Sequence, residues 1–213
     1  MKTDELISLL AQEPLRVDRH ASAERFALAL PSGLLGALLL ASAVFGIRPD
    51  LAVATADPAF WAKLGFAACM AAGAGLATWR LATPGRRVGT AAIAIGVPVV
   101  ALWIAASAAL WAAPADLRLP LLQGQSWHSC PFNIALLSIP SFASVFWALR
   151  GLAPTRLRVA GAAGGLLGGA LATMAYCIHC PEMAVPFWAL WYVLGMALPT
   201  ALGAALGPRL LRW

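Results

Sequence analysis

Two cysteines, a histidine and a glutamate share seven residues, "YCIHCPE" (176–182), between two long hydrocarbon stretches. A second group, "QGQSWHSCP" (123–131), sets His128 two residues before Cys130. Thiolate and imidazole are the preferred ligands of zinc and softer divalent metals. Cys130, Cys180, His128, His179 and Cys177 therefore form a candidate set for a transient zinc or cadmium ion, and the thiols can equally close as a disulfide. No catalytic residue and no obligatory cofactor is read from them. Cys177 and Cys180 have C-x-x-C spacing, but no βαβ pattern surrounds them to suggest a thioredoxin-like site. Cys177 reads equally as the last packed residue of a helix, and His128 as a solvated loop residue. Glu182 is explained as an acid favoured at a helix start. Cys69, among Ala and Gly, reads as a small packed side chain.

The elements that position these residues follow from composition. The 213 residues are 61% hydrophobic and 11% charged, where a soluble domain carries about a quarter charged residues. Six apolar runs reach the roughly 20 residues a helix needs to cross hydrocarbon: Phe26–Gly46, Phe60–Leu81, Gly89–Ala112, Phe132–Leu149, Leu157–Tyr176 and Val185–Leu206. The runs are continuous, without the short alternating segments of a membrane barrel. The fold class is all-α, a polytopic membrane protein with six transmembrane helices. Cys130 and Cys180 each precede a proline, so each is expected to open a span, the fourth and the sixth, at one membrane face.

Orientation follows from the bases. With both termini cytoplasmic, the inner segments hold 12 of the 15 Lys and Arg residues, and the outer ones only Arg48, Lys63 and Arg118. The positive-inside rule favours that arrangement. The net charge of +6 is thus a topology signal; no basic cluster with interleaved aromatics points to direct nucleic-acid binding. The localisation implied is a multi-pass protein of a bacterial inner membrane, in contact with lipid. Outer loops would then face an oxidising compartment in which their thiols meet oxidants and incoming metal.

No span has an acid at its centre, which argues against an ion-coupled carrier. The fifth span carries Gly161/Gly165, Gly164/Gly168 and Gly165/Gly169 at the spacing that lets helices approach closely. Residues 1–25 divide from the membrane part, 26–213, as a separate cytoplasmic segment. There Leu6, Leu9 and Leu10 share one helical face between a Thr3 cap and Pro14. Acids at 4, 5 and 13 suit an anionic membrane surface poorly, and a leucine face suits docking into a partner's groove.

"MKTDELISLLA", the "VDR" before the first span, "SCPFNIALLSIP", "HCPE" and the closing "ALWYVLGMALPTALGAALGPRLLRW" together resemble the negative-regulator-of-sigma-F family, six-helix inner-membrane anti-sigma factors of proteobacteria. The resemblance covers essentially the whole chain. It implies a partner, an extracytoplasmic-function sigma factor held by the N-terminal segment, and release when periplasmic cysteines sense heavy metal or oxidative stress. The sensing cysteines would be Cys130 and Cys180; Cys177 lies outside that pattern. The alternative is a membrane thiol-disulfide oxidoreductase passing electrons to quinone. Such an enzyme needs two outer cysteine pairs, and the sequence offers three outer cysteines.

Overall fold

Prolines and left-handed glycines mark where the helices begin and stop. Asp57 accepts from the Ala59 amide (2.8 Å) and Pro58 takes the first helical position, where its missing N–H costs nothing. Pro131 and Pro186 stand at the starts of two further helices. Gly46, Gly85, Gly89 and Gly124 have positive φ in the connections. The computed structural model describes Thr3, Glu5, Ile7, Ser8 and residues 20–212. Leu6, Leu9 and Leu10 lie outside the described residues.

Every regular element among the described residues from 20 onward is helical: α1 (Ala21–Val44), α2 (Leu51–Ala54), α3 (Pro58–Leu81), α4 (Ala91–Ala112), α5 (Ala115–Gln123), α6 (Cys130–Arg150), α7 (Leu157–Tyr176) and α8 (Val185–Leu210). Six of them, all but α2 and α5, are long and apolar enough to cross a membrane. Their bounds lie within a few residues of the six apolar runs. The two short helices sit inside loops that the sequence left unstructured.

Packing places α7 at the centre. In its apolar window 78% of residues are buried, against 11% in α4, and its glycines explain how. A methyl group on Gly161 would collide with the Gly203 carbonyl oxygen, and one on Gly165 with that of Pro199. The α7 and α8 backbones therefore touch directly, as small-residue spacing in a span allows. On its other side α7 receives Ser141 of α6, whose Oγ donates to Gly168 O at 2.8 Å.

The helices run alternately, so the connections gather at two ends. One end holds Arg25, Arg80, Arg86, Arg87, Arg150, Arg156, Arg158, Arg209 and Arg212. At the other, residues 45–57, 113–129 and 177–184 meet. One expectation is corrected there. Cys180 does not open a span, because α8 starts at Val185 behind an extended Ala184. Lys63, counted among the outer cations, lies in α3 and is fully buried. Cys69 is corrected as well. It is exposed on the bundle flank rather than packed inside, in a shallow apolar hollow with Pro98 and Leu102.

Candidate functional site

Three thiols from three positions meet at the end opposite the arginines. Cys130 is the first residue of α6, Cys177 the residue after α7, and Cys180 lies one turn further on. All three are 0% exposed and share one apolar cluster with Ile134, Tyr176, Phe187, Trp188 and Tyr192. All are free. The Tyr176 hydroxyl lies beside Cys130 and receives the Asn133 amide at 3.4 Å. Tyr192 turns its hydroxyl toward Cys177 and Cys180. That hydroxyl and the Trp188 indole nitrogen are the buried side-chain polar atoms without a hydrogen-bond partner among the described residues.

The turn that carries Cys177 and Cys180 closes over this cluster. It begins as a continuation of α7, with the His179 and Cys180 amides both donating to Tyr176 O at 3.0 Å. Beyond Cys180 the chain leaves the helix, and its carbonyls are taken up by two cations. Lys63 Nζ donates to Cys180 O (3.0 Å) and to Glu182 O (3.1 Å). Arg48 Nη1 donates to Cys180 O (3.2 Å), and the Arg48 amide to Ile178 O (3.3 Å). Asp50 aims that guanidinium through two bonds, Nε to Oδ1 at 2.8 Å and Nη2 to Oδ2 at 2.7 Å. The same pairing holds the Asp50 carboxyl below its usual range and raises Arg48 further. A bidentate arginine–carboxylate fork fixes direction as well as distance.

Glu182 secures the far side. Its Oε1 accepts from the Gln125 amide (2.6 Å), the Ser126 amide (3.2 Å) and Ser126 Oγ (3.3 Å). Gly124 makes this approach possible. Its φ is +56°, and a Cβ there would lie 2.6 Å from the Glu182 carboxyl, so only glycine fits. Glu182 is therefore a cross-loop clamp rather than a helix-start acid, and α8 has no acid in its first turn.

The histidines stay apart from the thiols. The ring of His128 stacks on Trp127 at 3.5 Å and is exposed. His179 points its Nδ1 at Gly46 O (3.2 Å) and lays its ring near Phe45. A carbonyl only accepts, so Nδ1 carries the proton. Among the described residues no group of three His, Cys, Asp or Glu side chains converges as metal ligands would. Burial also sets the thiol chemistry. Loss of solvation pushes the Cys177 thiol up to about 12, against the pull of the nearby Lys63 ammonium. The closed form therefore holds Cys177 as the unreactive thiol.

Lys63 and Glu182 were the residues missed. For Lys63 a signal existed: Phe60, Phe66, Ala67 and Met70 lie at helical spacing around it and are all buried, which puts the lysine on the inward face.

The family described as negative regulator of sigma F matches residues 10–213. Over 213 residues, all of both chains, the protein is 46% identical to the probable anti-sigma-F factor NrsF of Azospira oryzae. It is 39% identical over 215 aligned positions, again all of both chains, to the anti-sigma-F factor NrsF of Caulobacter vibrioides. No solved structure matches.

Proposed function

The chain belongs to the negative regulator of sigma F family, and from that premise we propose that it is a membrane anti-sigma factor acting without catalysis. The observation that carries this reading is full-length similarity to two anti-sigma-F factors. The partner is an extracytoplasmic-function sigma factor, held by the cytoplasmic segment 1–25. The thiol end faces the periplasm of an inner-membrane protein, and heavy metal or an oxidant acting on Cys130 and Cys180 releases the sigma factor.

The buried cluster shapes how such a trigger works. A closed thiol at 0% exposure meets no reagent, so reaction proceeds through a form in which the 177–184 turn has lifted. Zinc or cadmium binding by Cys130, Cys177 and Cys180 requires the same movement, since no ligand set is assembled among the described residues in the closed form. Reversing a 99:1 preference takes roughly 5.5 kcal/mol. Cysteine-rich zinc sites supply about 10 kcal/mol or more, so a captured open form suffices to shift the equilibrium.

Two experiments test the reading. Alkaline phosphatase fused after Arg212 should be inactive, and fused within the 113–128 loop active; the reverse pattern would put the thiols in the cytoplasm and end the proposal. Tagged protein extracted from membranes should co-purify a sigma factor, identified by mass spectrometry. Leu6→Asp combined with Leu10→Asp should lower that yield more than tenfold while membrane insertion stays normal. Undiminished co-purification would show that the leucine face is not the docking element.

A further inference from the structure

We infer that His179 and Arg48 couple the thiol-bearing turn to α1, and that α1 carries the movement of the turn to the N-terminal segment. The inference rests on the sensing reading above and adds its route through the membrane.

Helix α1 joins the two places that have to communicate. Its first residues, Ala21 to Arg25, belong to the proposed cytoplasmic segment 1–25, and it continues as helix past Pro31 to Val44, 24 residues in all, about 36 Å. Its last turn closes with the Phe45 amide on Ala41 O (3.0 Å), and Gly46, at φ +75°, ends it. That end abuts the sensing turn and the end of α7 through Phe45, Gly46 and Arg48. The Phe45 ring lies 5.2 Å from that of His179 and 6.5 Å, edge-on, from that of Tyr176. His179 Nδ1 donates to Gly46 O at 3.2 Å. The Arg48 amide and guanidinium then hold Ile178 O and Cys180 O.

Other helices reach the turn, but none leads straight into the docking segment. The far end of α3 passes into residues 82–90, and that of α8 into the C-terminal arginines. Helix α1 also fits closely against α6. A methyl on Gly33 would collide with Ser144 Oγ, and one on Gly36 would lie 2.8 Å from Pro140. Helix α6 begins at Cys130, so displacement of Cys130 and displacement of the turn both bear on α1. His179 thus has work other than metal ligation. Its Nδ1 proton is committed to the end of α1, and its ring lies between Phe45 and Tyr176.

The test uses the full chain in inner-membrane vesicles with its sigma factor bound. The variants are His179→Ala, Arg48→Gln, their combination, and a chain with two glycines inserted after Gly46. The insertion keeps both side chains and lengthens only the link. Diamide is one probe: two thiols become a disulfide while its N=N bond takes up two electrons and two protons. Cadmium chloride is the other. Sigma factor bound before triggering should match the wild type within twofold. Thiols should be consumed by diamide as fast as in the wild type or faster, because the cap is looser. Sigma release should nevertheless fall at least fivefold with both triggers. Faster thiol chemistry with less release is a split that general destabilisation does not produce.

Wild-type release from both the double variant and the insertion would overturn the inference. So would loss of sigma binding before triggering, or loss of the thiol reaction, since either would place these residues in holding or in chemistry. A His179→Ala protein deaf to cadmium but responsive to diamide would make His179 a ligand, and the coupling role would fall. If the wild type itself releases nothing with either probe, the sensing reading fails first, and that outcome is distinct.

Discussion

Replacing Lys63 with methionine should make Cys177 and Cys180 react with a membrane-impermeant maleimide tenfold faster or more in sealed, correctly oriented cells. In the closed form the Lys63 ammonium is 0% exposed and donates to Cys180 O and Glu182 O. Hydrogen bonds to a charged group contribute about 1.5–3 kcal/mol each, net of water. When the turn lifts, both bonds break in the wild type; in the methionine variant there is nothing to break. Losing even one such bond eases opening by about 1.5 kcal/mol, or about tenfold in the open population. Labelling through rare opening follows that population as long as reclosing outpaces reaction. Relief of the buried charge works in the opposite direction on closed-state stability. It is limited here because Cys180 O keeps Arg48 but Glu182 O is left bare. Glu182→Gln should show the same trend more weakly, since an amide oxygen still accepts from Gln125 and Ser126. Slower labelling of Lys63→Met would mean that the ammonium chiefly favours the thiolate, and the latch role would be wrong.

What the sequence disclosed and what it hid have separate physical causes. The long helices were legible because a run of some 20 apolar residues suits little but a helix that faces hydrocarbon, and the six runs match six helices long and apolar enough to cross a membrane. Gly161 and Gly165 were legible because only small residues allow the α7–α8 backbone contact, and the spacing alone announces it. Cys130 at the start of α6 was legible from Cys-Pro. The same reasoning failed at Cys180-Pro181, because the turn spends residues 181–184 reaching Lys63 and the 124–126 loop before α8 begins. Those partners lie more than fifty positions away in sequence. Periodicity does not encode such contacts. Glu182 therefore looked like a helix-start acid, and His179 like a ligand. The leucine face at residues 6–10 keeps the standing it had from sequence, as those leucines lie outside the described residues.

Cys130→Ala and Cys180→Ala should each leave a protein that holds its sigma factor and no longer lets go. Alanine is the better substitute, since serine would bury a hydroxyl in an apolar cluster where Tyr192 already lacks a partner. Removing a sulfur leaves a small void, on the order of 1 kcal/mol, too little to unfold a bundle held by the α7–α8 contact. Both cysteines lie at the end of the bundle opposite the start of α1, so repression should persist. The two thiols belong to different elements, α6 and the turn, and a metal or disulfide link between them needs both. Induction of a sigma-dependent reporter by cadmium or diamide should thus drop more than tenfold in each variant, toward background. Cys69→Ala should respond as wild type, because that thiol is exposed on the flank of the bundle and is not buried with the other three. Cys177→Ala should respond with reduced amplitude, its thiol being buried with the other two but held at the end of α7. Wild-type induction in the Cys130 and Cys180 variants would reduce the cluster to packing and require the signal to enter elsewhere.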